Sequence, residues 1–178
     1  MNIAVVGMGY VGCANALLLA QHNLVSIIDI SQKKIEDFKR GILPIDDSIA
    51  AQFLSKANLK IVATTSLKEG AKDADFIILA LPTDFNDNTN LYDTDIIESV
   101  IKEIIAFNNT VTIIIKSTIN IGFTRFVREK YNYEKIIFSP EFLREGHALE
   151  DNLNPSRIIV GDESKEAKSF SELLAHGA

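Results

Sequence analysis

Three glycines near the N-terminus have the spacing of a phosphate-binding loop. Gly7, Gly9 and Gly12 form a G-x-G-x-x-G pattern between a short apolar run and a segment with helical periodicity. In such a loop the first glycine permits a tight turn, the second lets the backbone approach a pyrophosphate, and the third lets the helix pack on the strand. The free N–H groups at the start of the helix then bind the phosphates. The pattern therefore predicts a dinucleotide-binding site.

An acidic residue stands where the ribose of such a dinucleotide is expected. Asp29 ends the second apolar run, twenty positions after Gly9. A carboxylate there accepts hydrogen bonds from ribose hydroxyls and repels a 2′-phosphate, which favours NAD over NADP. Lys33 and Lys34 follow closely, and either lysine could bind an extra phosphate, bind the ribose, or remain a solvated charge.

Polar residues also follow three later apolar runs. They occupy residues 81–83, 117–122 and 140–146. In open α/β sheets, ligands bind beyond the carboxyl ends of the strands, so these segments are candidate sites. Ordinary turn chemistry is the alternative interpretation, and for Thr83 it is equally good.

The third segment carries two carboxylates around an arginine. Glu141 and Glu145 flank Arg144, with Pro140 before them and Gly146 after them. If this segment is helical, the two glutamates share a face, where like charges are mildly destabilising unless a function uses them. A surface helical turn without function is the alternative.

Cysteine and histidine provide few candidates for chemistry. The single cysteine, Cys13, excludes an intrachain disulfide and is predicted to be a small buried residue. His22, His147 and His176 show no metal-ligand spacing, so no metal site is predicted. The expected chemistry is hydride transfer, in which the cofactor does the difficult part.

The overall composition excludes several classes of partner. The chain has 178 residues and a formal net charge of −6, with 18 basic against 24 acidic residues. This balance disfavours binding to nucleic acid or to a membrane surface. No basic N-terminal stretch precedes a long apolar run, and no uninterrupted apolar segment is long enough to span a bilayer. A cytoplasmic protein is therefore expected.

Short β-branched runs alternate with helical segments along the whole chain, which indicates βαβ units. Strands are predicted at residues 2–6, 25–29, 59–63, 76–80, 111–116, 135–139 and 157–160. Helices are predicted at residues 11–21, 32–40, 48–56, 95–107, 124–131 and 165–175, while residues 83–93 are predicted to form a loop. Ser31 and Gly41 are expected to cap the second helix. The predicted fold class is α/β: one Rossmann-type domain over residues 1–178, with a doubly wound, mainly parallel sheet covered by helices on both faces.

Four segments together resemble a known enzyme family. They are NIAVVGMGYVG (2–12), ALPTDFN (80–86), IIIKSTINIGFT (113–124) and SPEFLREGHALEDNLNPSRIIVG (139–161). The chain resembles the UDP-glucose/GDP-mannose dehydrogenase family, and most closely its UDP-glucose 6-dehydrogenase branch. The resemblance implies NAD binding and oxidation of the C6 alcohol of a UDP-hexose to the carboxylate, in two NAD-dependent steps through a cysteine-bound intermediate.

The resemblance also implies roles for individual residues. The cofactor phosphates would be held by Gly7, Gly9, Tyr10, Val11 and Gly12, the adenosine ribose by Asp29 and Lys34, and the nicotinamide side would be lined by Thr83, Thr118 and Glu145. One wall of the sugar site would be formed by Glu141, Phe142, Leu143, Arg144 and Glu145. In this scheme Thr118 and Glu141 help to position water and a catalytic lysine, and Glu145 assists hydrolysis of the thioester.

The chain also departs from the family pattern. The family's nucleophilic cysteine, catalytic lysine and asparagine, dimer-forming helix and UDP-binding domain all lie C-terminal to Ala178. The chain alone is therefore predicted to bind NAD without turning over UDP-glucose. Pro-Thr-Pro is common where this chain has Asp84 after Thr83, and proline is common where it has Asn120. These changes predict a first loop that is more mobile than usual.

Three alternatives remain open on the sequence. The substrate could be UDP-N-acetylmannosamine or GDP-mannose rather than UDP-glucose, because most sugar contacts are expected elsewhere. A nucleotide-binding regulatory module would use the same glycine loop, although it has no use for the EFLREG segment. A β-hydroxyacid dehydrogenase would need a C-terminal helical domain, and that domain has no counterpart in these residues.

Overall fold

One parallel sheet organises the chain in the computed structural model, which describes residues 1–178. The strands, in chain order, are β1 (Asn2–Val6), β2 (Leu24–Ile28), β3 (Ile61–Thr64), β4 (Phe76–Leu79), β5 (Phe85–Asn86), β6 (Leu91–Tyr92), β7 (Thr112–Ile115) and β8 (Ile136–Phe138). The helices are α1 (Tyr10–Ala20), α2 (Gln32–Lys39), α3 (Ser48–Lys56), α4 (Leu67–Ala71), α5 (Asp95–Phe107), α6 (Phe123–Tyr131), α7 (Ala148–Leu153) and α8 (Lys165–Gly177). No helix combines the length and the apolar character that a membrane crossing needs.

The strand order creates a crevice at one position of the sheet. Six strands pair in the order β3-β2-β1-β4-β7-β8, and every pair is parallel. The chain adds strands on one side of β1 and then returns to add β4 on the other side. In open parallel sheets the ligand binds at this switch point, beyond the carboxyl ends of the strands.

Helices cover the sheet on both faces. In β1, Ile3 and Val5 belong to one hydrophobic cluster, together with residues of α1, α2 and α8. Ala4 and Val6 belong to a second cluster, together with residues of α4, α5 and α6. Successive residues of a strand point to opposite faces, so this alternation shows that both faces are buried. The predicted doubly wound α/β fold is confirmed.

The predicted capping of the second helix is also confirmed. The Ser31 hydroxyl accepts a hydrogen bond from the amide of Lys34 and caps the N-terminus of α2. Gly41 follows the helix with a φ of +80°, the left-handed exit that glycine tolerates best.

The predicted strand at 157–160 is wrong. This segment runs beside β8 without forming a ladder, because only the amide of Gly161 reaches the carbonyl of Phe138. A side-chain bond from Ser139 to the carbonyl of Ile159 holds it in place. Ile158 and Ile159 are 36% and 40% exposed, so the apolar run lies at the surface and is not a buried strand.

Three short elements escaped prediction. The segment 83–93, predicted to be a loop without an element, contains the antiparallel hairpin β5–β6. Helices α4 and α7 were also not predicted, and both are too short to show a helical period. Helix α7 packs on α1 through Ala148 and Leu149, which are fully buried.

Candidate functional site

The glycine loop lies at the switch point and depends on two of its glycines for its shape. Gly7 has a φ of +105°, and a Cβ atom there would lie 2.2 Å from the carbonyl oxygen of Ala80. A Cβ on Gly12 would lie 1.8 Å from the carbonyl oxygen of Gly7. A Cβ on Gly9, in contrast, would meet nothing within 4 Å. Gly7 and Gly12 therefore hold the loop against the sheet, and Gly9 leaves its outer side open.

The first turn of α1 is suited to an anion. Gly9 is its N-cap, no side chain caps it, and no acidic residue occupies its first turn. The first amides of a helix have no partner within the helix, and they carry partial positive charge. The loop and the helix start therefore fit the pyrophosphate of a dinucleotide, with the amides of Tyr10, Val11 and Gly12 as donors.

Asp29 lies beside this loop with its carboxylate already ordered. One oxygen accepts from the amide of Met8 at 2.9 Å and from Lys34 Nζ at 3.0 Å, and the other accepts from the amide of Ser31 at 2.9 Å. Partial burial opposes ionisation, but these hydrogen bonds outweigh it and hold the pKa of Asp29 below its usual value. A carboxylate offers about four acceptor positions, so one remains for a ribose hydroxyl.

A cleft next to the glycine loop brings together several residues that the sequence singled out. Thr83 follows β4, Thr118 follows β7 and Glu141 follows β8, and all three line this cleft. Val11 from the start of α1 lines it too. Parallel strands end at one edge of the sheet, which explains why segments so distant in sequence meet here.

A buried ion pair forms the floor of the cleft. Lys116 Nζ contacts Glu141 Oε1, and the two side chains are 3% and 12% exposed. Lys116 Nζ also lies 3.2 Å from the hydroxyl of Ser139, and Asn15 Nδ2 donates to Glu141 Oε1 at 3.0 Å. Burial lowers the pKa of Lys116, and the nearby Glu141 carboxylate opposes that shift.

Sequence reasoning missed Lys116 and Asn15 as site residues. Each of the two is a polar residue next to apolar ones. Lys116 directly follows the three isoleucines of β7, and Asn15 lies among the apolar residues of α1. A polar residue in such a run needs a partner once it is buried. That signal was available, although it does not reveal the partner.

The segment 140–146 is not helical, so Glu141 and Glu145 do not share a helix face. Glu141 points to Lys116, while Glu145 is exposed and lines neither the cleft nor the cavity beside it. Arg144 binds Asp151 through its guanidinium and its backbone amide. These bonds lower the pKa of Asp151 to about 2.

A cavity of about 200 Å³ lies on the other side of Glu141. Four residues predicted to line the sugar site line it: Glu141, Phe142, Leu143 and Arg144. The guanidinium of Arg157 lies 4.5 Å from the centre of the Phe142 ring. A small polar molecule would find here both carboxylate and guanidinium partners.

Cys13 is fully buried in the core, as predicted. Burial raises the pKa of its thiol to about 12. Because the thiolate is the reactive form, this cysteine is chemically inert near neutral pH.

A parallel sheet with a glycine loop at its switch point and a carboxylate at the end of β2 defines a dinucleotide-binding domain of the Rossmann type. Residues 1–176 match the family model described as "UDP-glucose/GDP-mannose dehydrogenase family, NAD binding domain". The chain belongs to this family, and the domain is one that binds NAD.

Individual relatives agree with this assignment. The chain is 44% identical to the UDP-glucose 6-dehydrogenase of Campylobacter jejuni over 98% of its own length, and 44% identical to that of Streptococcus pneumoniae over its whole length. It covers 45% and 47% of those two proteins. A solved GDP-mannose dehydrogenase from Pseudomonas aeruginosa superposes with a TM-score of 0.86 at 25% identity, over 99% of this chain and 44% of that one. The chain thus spans about half the length of the relatives it matches.

Proposed function

We propose that this chain is the NAD-binding part of a UDP-glucose 6-dehydrogenase, an enzyme that oxidises UDP-glucose to UDP-glucuronate with two molecules of NAD. The observation that carries the proposal is the cleft beside the glycine loop, where Thr83, Thr118 and Glu141 meet. The two relatives of 44% identity, both named UDP-glucose 6-dehydrogenase, support UDP-glucose over GDP-mannose or UDP-N-acetylmannosamine as the substrate.

Bound NAD supplies the hydride acceptor, and the protein supplies placement. In our proposal the backbone of residues 7–12 binds the pyrophosphate, and Asp29 and Lys34 bind the adenosine ribose. Thr83 and Thr118 line the nicotinamide side of the site. Residues 141–144 line the sugar side, where Lys116 keeps the Glu141 carboxylate oriented towards the cleft.

The chain is expected to bind NAD more tightly than NADP, by about tenfold or more. A 2′-phosphate would place negative charge beside the Asp29 carboxylate, and a tenfold ratio corresponds to about 1.4 kcal/mol. Isothermal titration calorimetry with both dinucleotides measures the ratio. Asp29→Asn should reduce the preference for NAD, whereas Asp87→Asn, a matched change at an exposed position, should not. Tighter binding of NADP by the unmodified chain contradicts the role assigned to Asp29.

The isolated chain is expected to produce no NADH from UDP-glucose. Oxidation through a thioester needs a reactive thiol, and Cys13 is buried with its pKa raised to about 12. Absorbance at the NADH band, followed with NAD and UDP-glucose present, tests this expectation. We also expect this chain to bind NAD less tightly than a complete relative does, because fewer contacts offset the entropy lost when the nicotinamide end becomes ordered. NADH formation that disappears in Cys13→Ala would show that the expectation is wrong.

A further inference from the structure

The side chain of Asn120 joins two segments that border the cofactor cleft. Its Oδ1 accepts from the amide of Tyr92 at 2.8 Å, and its Nδ2 donates to the carbonyl of Tyr92 at 2.8 Å. Asn120 lies in the loop after β7, and Tyr92 lies in strand β6 of the hairpin. A side-chain amide that pairs with both polar groups of one backbone residue mimics a β-ladder contact, because it offers one acceptor and one donor side by side.

Ser117 joins the same two segments nearer the sheet. Its hydroxyl accepts from the amide of Leu81 at 2.8 Å and lies 2.8 Å from the carbonyl oxygen of Leu81, to which it donates. Ser117 directly precedes Thr118, and Leu81 lies two residues before Thr83. The loop after β4 and the loop after β7 are therefore connected at their base by Ser117 and at their outer end by Asn120.

The hairpin connects Tyr92, the partner of Asn120, to Asp84, the residue that follows Thr83. The amide of Asp93 donates to the carbonyl of Asp84 at 2.8 Å, which closes the hairpin directly after Thr83. The rings of Phe85 and Tyr92 also pack against each other with centroids 5.1 Å apart. A displacement of Tyr92 is therefore transmitted to Asp84 and its neighbour.

We propose that Asn120 is a positioning residue that holds the Thr83 loop and the Thr118 loop together as one wall of the cleft, at the nicotinamide end of NAD. This inference rests on the proposed function, because it assigns the nicotinamide to that cleft. The family commonly has proline at this position, and proline has no side-chain donor or acceptor. The sequence-based prediction of a more mobile first loop took no account of these two hydrogen bonds.

Loss of the two Asn120 hydrogen bonds, which we call the clamp, should weaken NAD binding, because the wall would then be ordered for a smaller fraction of the time. If the wall is ordered for only a fraction of the time, the apparent dissociation constant rises by the inverse of that fraction. Because other contacts also hold the hairpin, we expect a weakening equal to about one net hydrogen bond, which is a rise of about three- to tenfold. The pyrophosphate and adenosine contacts of residues 7–12 and Asp29 do not involve the wall, so binding of a ligand without nicotinamide should not change.

The experiment compares NAD with ADP-ribose, which lacks only the nicotinamide, by calorimetry on the whole chain. Asn120→Ala should raise the dissociation constant of NAD by about three- to tenfold and change that of ADP-ribose by less than about twofold. Asn120→Asp keeps the size of the side chain but loses the donor to Tyr92, and it should weaken NAD in the same range. Asn88→Ala is the matched control, because Asn88 is exposed at the hairpin turn and its side chain makes no hydrogen bond. Hydrogen exchange at the amide of Tyr92 should quicken in Asn120→Ala and not in Asn88→Ala.

The possible outcomes distinguish failure of the clamp from failure of the proposed function. Equal NAD affinity in Asn120→Ala and the unmodified chain overturns the clamp and leaves the proposed function standing. Equal weakening of NAD and ADP-ribose also overturns it, since that pattern indicates general destabilisation. If the unmodified chain binds neither ligand, the proposed function fails, and the assignment of the wall to nicotinamide fails with it.

Discussion

Gly12→Ala is expected to lower the free energy of unfolding by about 3 kcal/mol, the upper range for an overpacked core position. The added methyl group would lie 1.8 Å from the carbonyl oxygen of Gly7 and 2.9 Å from its carbonyl carbon. Both atoms are backbone, and Gly7 is itself hydrogen-bonded to the carbonyl of Ile28 in β2. No flexible side chain can move to relieve the contact, so either the loop or α1 must shift.

Gly9→Ala provides the contrast within the same motif. A Cβ at Gly9 meets nothing within 4 Å, and its φ of −93° is open to alanine. The free energy of unfolding should therefore change by less than about 0.5 kcal/mol. If the pyrophosphate approaches the Gly9 backbone, the added methyl group should weaken NAD binding by about tenfold or more, equivalent to about 1.4 kcal/mol.

Urea unfolding followed by circular dichroism, together with calorimetry on the folded variants, separates the two effects. Gly12→Ala should lose stability, and Gly9→Ala should lose NAD affinity alone. Comparable stability of Gly12→Ala and the unmodified chain would contradict the packing role of Gly12. NAD affinity unaffected by Gly9→Ala would contradict the placement of the pyrophosphate at this loop.

The central strands of the sheet could be predicted from sequence because they are buried on both faces. A strand that is covered by helices on both sides consists of a continuous apolar run, as in β4 and β7. The run at 157–160 is also rich in β-branched apolar residues, but it lies outside the ladder and its two isoleucines stay partly exposed. Composition alone cannot tell an apolar surface segment from an edge strand, since both depend on what packs against them.

The glycine loop could be predicted for a different reason. Its function depends on local backbone geometry, and Gly7, Gly9 and Gly12 encode that geometry within six residues. The floor of the cleft is not local, because Asn15, Lys116 and Glu141 come from α1 and from the ends of two strands. Their pairing appears only when the sheet brings these ends together.

The hairpin β5–β6 shows the same limit at a smaller scale. Each strand has two residues, and the segment is rich in Asn and Asp, which are typical of loops. One of the contacts that hold it comes from the Asn120 side chain, which is 28 residues away from Tyr92 along the chain. Against the family pattern Asn120 is only a missing proline, whereas the structure shows its two hydrogen bonds to the backbone of Tyr92.

Lys116→Met is expected to lower the free energy of unfolding by about 3–5 kcal/mol, the usual cost of removing one partner of a buried ion pair. Glu141 would keep only Asn15 as a donor, at a site where its side chain is 12% exposed. Ser139 would also lose a partner for its hydroxyl. For a domain of this size, a loss of that magnitude corresponds to a fall in melting temperature of roughly 6–20 °C.

Two further variants separate the ion pair from a general effect of losing a lysine. Lys33→Met removes a lysine whose side chain is 84% exposed and pairs with Asp37, so stability should change by less than about 1 kcal/mol. The double variant Lys116→Met with Glu141→Leu removes both buried charges and should recover much of the loss, because the unpaired carboxylate is what makes the single change costly. Asn15 would still donate to the carbonyl of Val11. If Lys116→Met unfolds at the same urea concentration as Lys33→Met, Glu141 is held in the cleft by something other than Lys116, and the floor of the site must be assigned differently.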